Sequence, residues 1–90
     1  MGVENPYITV TPQSIKIGVG EAIQVQVDTN VNEFDIVTHN ESIIYFDLRH
    51  YEIKGLSSGF GQVDFIYKGE LGNTVVSSVV VTVEEIPESN

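Results

Sequence analysis

His39 and His50 are the only imidazoles in a chain that has no cysteine, so nucleophilic or acid–base chemistry would have to be organised around one of them. A nucleophile needs a base within hydrogen-bond reach. Read as strands and turns, the sequence puts His39 at the end of one strand and His50 in the turn after another, with no obvious acid or nucleophile beside either. Both are expected to be exposed loop histidines. Zinc lacks paired ligand spacing, and the acidic residues are scattered singly rather than facing one another as a catalytic carboxylate pair would. No catalytic residue, metal ligand or cofactor-binding residue is assigned, and the chain is expected not to be an enzyme.

Two stretches imitate ligand-binding loops. Asp28-Thr29-Asn30-Val31-Asn32 has the Asp-x-Asn-x-Asn start of a calcium loop, but Glu33 stands where the sharp turn needs glycine and His39 stands where the bidentate Glu belongs. A turn with Asx-type capping is expected there, leaving at most weak surface calcium binding. Gly55-Leu56-Ser57-Ser58-Gly59-Phe60-Gly61 is rich in glycine like a phosphate cradle, yet no Lys follows the glycines and no helix follows the loop. It is expected to be a β-turn with positive-φ glycines. Asn40-Glu41-Ser42 fits the glycosylation sequon, which matters only in a eukaryotic secretory pathway.

The elements that must position these residues are strands. Isoleucines and valines alternate with polar residues in Ile15-Lys16-Ile17 and again in Ile23-Gln24-Val25-Gln26-Val27, with Gly18-Val19-Gly20-Glu21 between as a tight turn. Gly18 and Gly20 are both expected to be needed for that turn. Tyr7 to Val10 reads as a first strand that kinks through Thr11-Pro12-Gln13-Ser14, as when an edge strand switches sheets. Further strands are read at Phe34–His39, Ile43–Leu48, Tyr51–Lys54, Gln62–Lys68 and Val75–Val83. Phe34, Ile36, Val63, Phe65 and Tyr67 are assigned inward. Ile44, Phe46 and Leu48 share one face of their strand, opposite Ile43 and Tyr45. About seven strands in 90 residues predict an all-β, two-sheet sandwich, since a barrel needs longer strands and a single open sheet would leave one apolar face wet.

The chain is long enough for one core and too short for two. Residues 1–6 are expected to be a flexible N-terminal segment, 7–83 the domain, and 84–90 an acidic flexible tail. Thirteen acidic residues against four basic ones give a net charge of −9, which repels phosphate backbones and anionic membrane surfaces and speaks against nucleic-acid binding. No apolar run approaches the roughly 20 residues that cross a bilayer, so no membrane insertion is expected. Met1 to Pro6 lacks the basic flank and apolar core of a signal peptide, and Pro6 stands where a myristoylation motif wants Ser or Thr.

Several short motifs occur in one order. Val10-Thr11-Pro12, Gly20-Glu21, Asn40-Glu41-Ser42, Gly55, Gly59-Phe60-Gly61 and a valine-rich last strand together resemble the bacterial immunoglobulin-like group 2 domain over nearly all of residues 7–83. The chain has Phe34 or Val37 where that family commonly places Trp, and Ile43-Ile44-Tyr45-Phe46 where it commonly has small residues. The resemblance implies an immunoglobulin-like two-sheet sandwich of about seven strands. It also implies use as a spacer, adhesive or display module, as in bacterial surface proteins and in phage capsid decoration and tail proteins.

A contact surface follows if the strands holding Val37, Ile66 and Val80 share a sheet, because these residues then point outward with Ser78 and Thr82 nearby. Tyr45 is a further candidate contact. The expected function is a non-enzymatic display or adhesion module of a phage virion protein, on the virion surface, with a capsid protein or neighbouring domain as partner. The alternatives are an adhesin module of a bacterial cell surface, a passive spacer, and a carbohydrate-binding accessory domain of a secreted bacterial enzyme. The last would stack sugar rings on Tyr7, Tyr45, Tyr51 or Phe60.

Overall fold

A computed structural model describes residues 5–69, 72 and 74–85. These form nine strands: β1 (Ile8–Thr11), β2 (Ser14–Gly18), β3 (Ala22–Gln24), β4 (Gln26–Thr29), β5 (Asp35–His39), β6 (Ile44–Asp47), β7 (Glu52–Gly55), β8 (Gly59–Lys68) and β9 (Thr74–Glu84). Three hydrogen-bonded sheets result, in the orders β1-β4, β2-β9-β8-β5 and β3-β7-β6. β3 and β4 flank the single residue Val25, whose N–H donates to the carbonyl of Tyr51 at 2.8 Å and so prolongs the β3–β7 ladder by one step. The two smaller sheets are thereby linked through one chain run. The protein is all-β, with several sheets around one core, an arrangement compatible with a β-sandwich.

Period-two alternation decides which side chains enter that core. Val63 and Phe65 of β8, Val79 and Val81 of β9, Val10 of β1, Ile44 of β6 and Ile53 of β7 are fully buried. Phe34, just before β5, packs at 6.1 Å from the Phe65 ring, and Phe46 meets Phe65 edge-on at 5.7 Å. Edge-to-face placement sets the positive rim of one ring against the negative face of the other. The assignments of Phe34, Ile36, Val63, Phe65 and Tyr67 to the inner side hold, with Phe34, Ile36 and Tyr67 only half-buried against the core.

The sheet switch expected after Val10 is present. β1 pairs antiparallel with β4, and beyond Pro12 the chain runs parallel to β9, from Ser14 opposite Val80 to Gly18 opposite Glu84. Gly18-Val19-Gly20-Glu21 is therefore a corner between sheets and not a hairpin. Its Gly20 has φ +88°, the left-handed region that favours glycine. Gly18 does not share that need: it is the last residue of β2 and has no positive φ. The Glu21 carboxylate accepts the Gly18 N–H at 2.6 Å, while Gly20 and Gly55 are tied across the corner by Gly20 N–H to Gly55 O and Gly55 N–H to Glu21 O, both 2.9 Å.

Other boundaries differ from the sequence expectation for local reasons. β6 stops at Asp47, because Asp47 Oδ1 accepts the Arg49 N–H at 2.9 Å and turns the chain. Leu48 is consequently 61 % exposed in the turn and does not continue the Ile44–Phe46 face. Glu84 belongs to β9 and pairs with Lys16 at 3.2 Å, so the last strand runs one residue past Val83. At the other end, the Asn5 carbonyl accepts a hydrogen bond from Asn30 Nδ2 at 3.2 Å. The expected flexible residues 1–4 and 86–90 lie outside the described residues.

The segment Gly59-Phe60-Gly61 opens β8; Gly59 has the positive φ expected of these glycines, +145°, whereas Gly55 and Gly61 do not. Gly61 lies opposite Val81 on β9, and a Cβ there would come within 2.6 Å of Ile44 Cδ1 and 2.7 Å of Ile44 Cγ1. Ile44 is itself fully buried, so it has little room to withdraw. Gly61→Ala is expected to cost about 1–3 kcal/mol through overpacking, read as a lower midpoint in urea denaturation with an unchanged slope; wild-type stability in that variant would show that Ile44 can move aside.

Candidate functional site

The outer face of the sheet β2-β9-β8-β5 carries three of the four expected contact residues. Cross-strand register sets Asp35 beside Ile66 and Val76, Val37 beside Asp64 and Ser78, and His39 beside Gln62 and Val80. Val37 and Val80 are exposed and Ile66 is half-buried on this face. They do not make a continuous apolar stripe, because Asp64 stands between them. Ile66 instead pairs with the exposed Val76, which shares the parity of Ser78 and Val80 and was readable from it. Tyr45 lies on β6 in another sheet and lines a groove of about 310 Å³ with Thr38, Glu41, Ile44 and Phe46.

Asp64 gathers the polar groups of three strands. Its Oδ1 accepts from Ser78 Oγ and from Gln62 Nε2, both at 2.7 Å, and its Oδ2 lies 2.7 Å from His39 Nε2. Partial burial pushes the carboxyl pKa up, but the hydrogen bonds from Gln62, Ser78 and His39 outweigh it and hold the group below its ordinary 3.8. His39 is the exposed last residue of β5, at the strand end where it is expected, but it has an acid beside it, which the sequence did not show. Ser, His and Asp are the types of a hydrolytic triad, yet the order is wrong for that chemistry: the carboxylate sits between hydroxyl and imidazole. The imidazole is not bonded to the serine whose proton it would have to take. The constellation works as a clamp across β5, β8 and β9.

At one end of the molecule a cleft of about 600 Å³ opens between the approach to β5, the β6–β7 turn and the end of β8. Phe34, Tyr51 and Tyr67 supply aromatic surface, and Glu33, Asp35 and Lys68 supply charge. Of the four aromatics proposed for sugar stacking, Tyr51 alone lines this cleft. Tyr45 belongs to the other groove, Phe60 is exposed at the start of β8, and Tyr7 is exposed beside β1, its N–H donating to Asn30 Oδ1. Tyr67 is the contribution that inward parity concealed: a half-buried residue at a strand end can serve core and cleft together.

The β6–β7 turn holds a third group. Asp47 and Glu52 are register partners on the two strands, and His50 lies in the turn joining them. Asp47 Oδ2 is 3.0 Å from His50 Nδ1, and one donor atom from each of Asp47, His50 and Glu52 falls within 4.8 Å of the others. The hydrogen bond to His50 lowers the Asp47 carboxyl pKa, and the same bond raises that of the imidazole. Two sequence expectations are corrected here: His50 does have an acid beside it, and two carboxylates do face one another. Spacings of three and two residues match no regular periodicity, so only the hairpin register brings them together.

The calcium-like segment is engaged otherwise. Asn30 bonds Asn5 O and the Tyr7 N–H, and Thr29 Oγ1 donates to Tyr7 O and accepts the Val31 N–H. The turn is therefore capped by Thr29 rather than by an Asx side chain, and its polar groups hold the start of β1. No protein-family model matches this chain, and no curated protein matches it in sequence.

The Asp64 clamp has a definite pH signature. A carboxyl depressed on folding adds stability that is fully present above its unfolded value near 3.8 and is lost as pH falls through the lower folded value. Asp64→Asn is expected to lose about 1.5–3 kcal/mol at pH 7, the range for hydrogen bonds to a charged group. Thermal melts of the two proteins should converge as pH is taken from 5 down toward 2. A gap that stays constant over that range would mean the charge on Asp64 contributes nothing.

Proposed function

We propose that this chain is a non-enzymatic immunoglobulin-like display or adhesion module of a phage virion protein, of the capsid decoration or tail kind, carried on the particle surface. The strand order supports the reading. β1, the β3–β4 run, β7 and β6 follow one another as strands A, B, E and D of an immunoglobulin sandwich do, and β5, β8 and β9 correspond to C, F and G. β2 adds a parallel strand beside β9, where a first strand that switches sheets belongs. Phe34 packs on the central Phe65 near the place where the group 2 family commonly has Trp. An Asp64-centred arrangement in which Ser78 is bonded to the carboxylate and not to His39 agrees with a binding role, and an acidic surface suits a module on a crowded particle.

A second reading, a carbohydrate-binding accessory domain, is favoured by the cleft in which Phe34, Tyr51 and Tyr67 stand beside Glu33, Asp35 and Lys68. Aromatic faces next to charged and polar groups suit a sugar ring, which has apolar faces and a hydroxyl rim.

Co-sedimentation of the domain with phage particles and with bacterial cells separates these roles. The display reading expects saturable binding to particles, weakened at least about tenfold by Ile66→Lys, a loss of roughly 1.4 kcal/mol, with the melting temperature unchanged. Binding confined to cells would replace it with the bacterial adhesin reading. Glycan-array binding abolished by Tyr51→Ala, with no particle binding, would replace it with the saccharide reading.

A further inference from the structure

We propose that Asp47, His50 and Glu52 form a site for a zinc-class divalent cation at the β6–β7 turn. The donor set is one imidazole nitrogen and two carboxylates, converging within 4.8 Å. Imidazole suits zinc, copper and nickel, whereas an all-oxygen set would suit calcium or magnesium. Asp47 Oδ2 and His50 Nδ1 are already 3.0 Å apart, close to the separation two donors take when each lies about 2 Å from a shared zinc ion.

Two further observations set this group apart from a chance surface cluster. Asp47 and Glu52 occupy the same rung of the antiparallel β6–β7 pair, where two like charges repel; among the described residues the one ion-pair partner of either is His50, on Asp47, and no Lys or Arg pairs with them. A bound dication removes that repulsion. The ligands are also held from behind: the Arg49 N–H fixes Asp47 Oδ1 at 2.9 Å, leaving Oδ2 for the ion, and Gln24 Nε2 on β3 holds the His50 carbonyl at 3.3 Å. Such supporting bonds orient metal ligands before the metal arrives. Leu48 and Tyr51 of the same turn line the aromatic cleft, so an ion here would stiffen one wall of that cleft.

The test is isothermal titration of the tag-free domain with zinc chloride, with calcium and magnesium chlorides run alongside and circular dichroism recorded for every variant. Expected are one saturable zinc site per chain, a raised melting temperature, and affinity weakened at least about tenfold in both His50→Gln and Glu52→Gln. His39→Gln, which alters the other imidazole, should leave zinc affinity unchanged. Absence of saturable zinc binding, or zinc binding that survives His50→Gln, would overturn the proposal, as would calcium binding as tight as zinc binding.

Discussion

The pairing of β8 with β9 is the constraint on which the other contacts depend. The ladder runs unbroken from Gly59 opposite Val83 to Lys68 opposite Thr74, and its period of two divides every residue between two faces. Inward parity delivers Val63, Phe65, Val79 and Val81 to the core; outward parity delivers Gln62, Asp64, Ile66, Val76, Ser78 and Val80 to one surface. A slip of one residue would exchange the two sets. It would bury Asp64 in an apolar interior and expose Phe65, so register is enforced from both sides. β2 and β5 then add to the edges of this pair, and Phe34 and Phe46 close over Phe65.

Close approach between layers is the second determinant. Ile44 can be fully buried because Gly61 leaves the space a side chain would take, and the corner at Gly20 is stitched to Gly55 by paired backbone bonds. Glycines that resemble a loop signature in the sequence thus act as packing residues in strands. The same economy governs polar residues in turns. Asp47 terminates β6 through its Arg49 bond and still presents an oxygen to His50, while Asn30 and Thr29 anchor the start of β1.

These contacts also shape the exposed faces. The outer sheet face is partly apolar at Ile66 and Val76 and partly polar around Asp64, a mixed face rather than a hydrophobic stripe. The aromatic cleft and the Asp47-His50-Glu52 group share the β6–β7 turn, whereas the Asp64 clamp lies on the outer face of the sheet β2-β9-β8-β5.

Strand character, the buried parity of β8 and β9, the sheet switch near Pro12 and the outward placement of Val37, Ile66 and Val80 were legible in the sequence, because each rests on local periodicity or on a residue with a fixed backbone preference. What only the tertiary structure decided is which distant residues meet. His39 finds Asp64 25 residues away, Glu52 faces Asp47 across a turn, Tyr67 reaches a cleft shared with Tyr51, and Leu48 leaves its strand because Asp47 caps the turn before it. Pairing register and the termination of strands depend on hydrogen bonds between separate segments, and neither alternation nor composition along one segment carries that information.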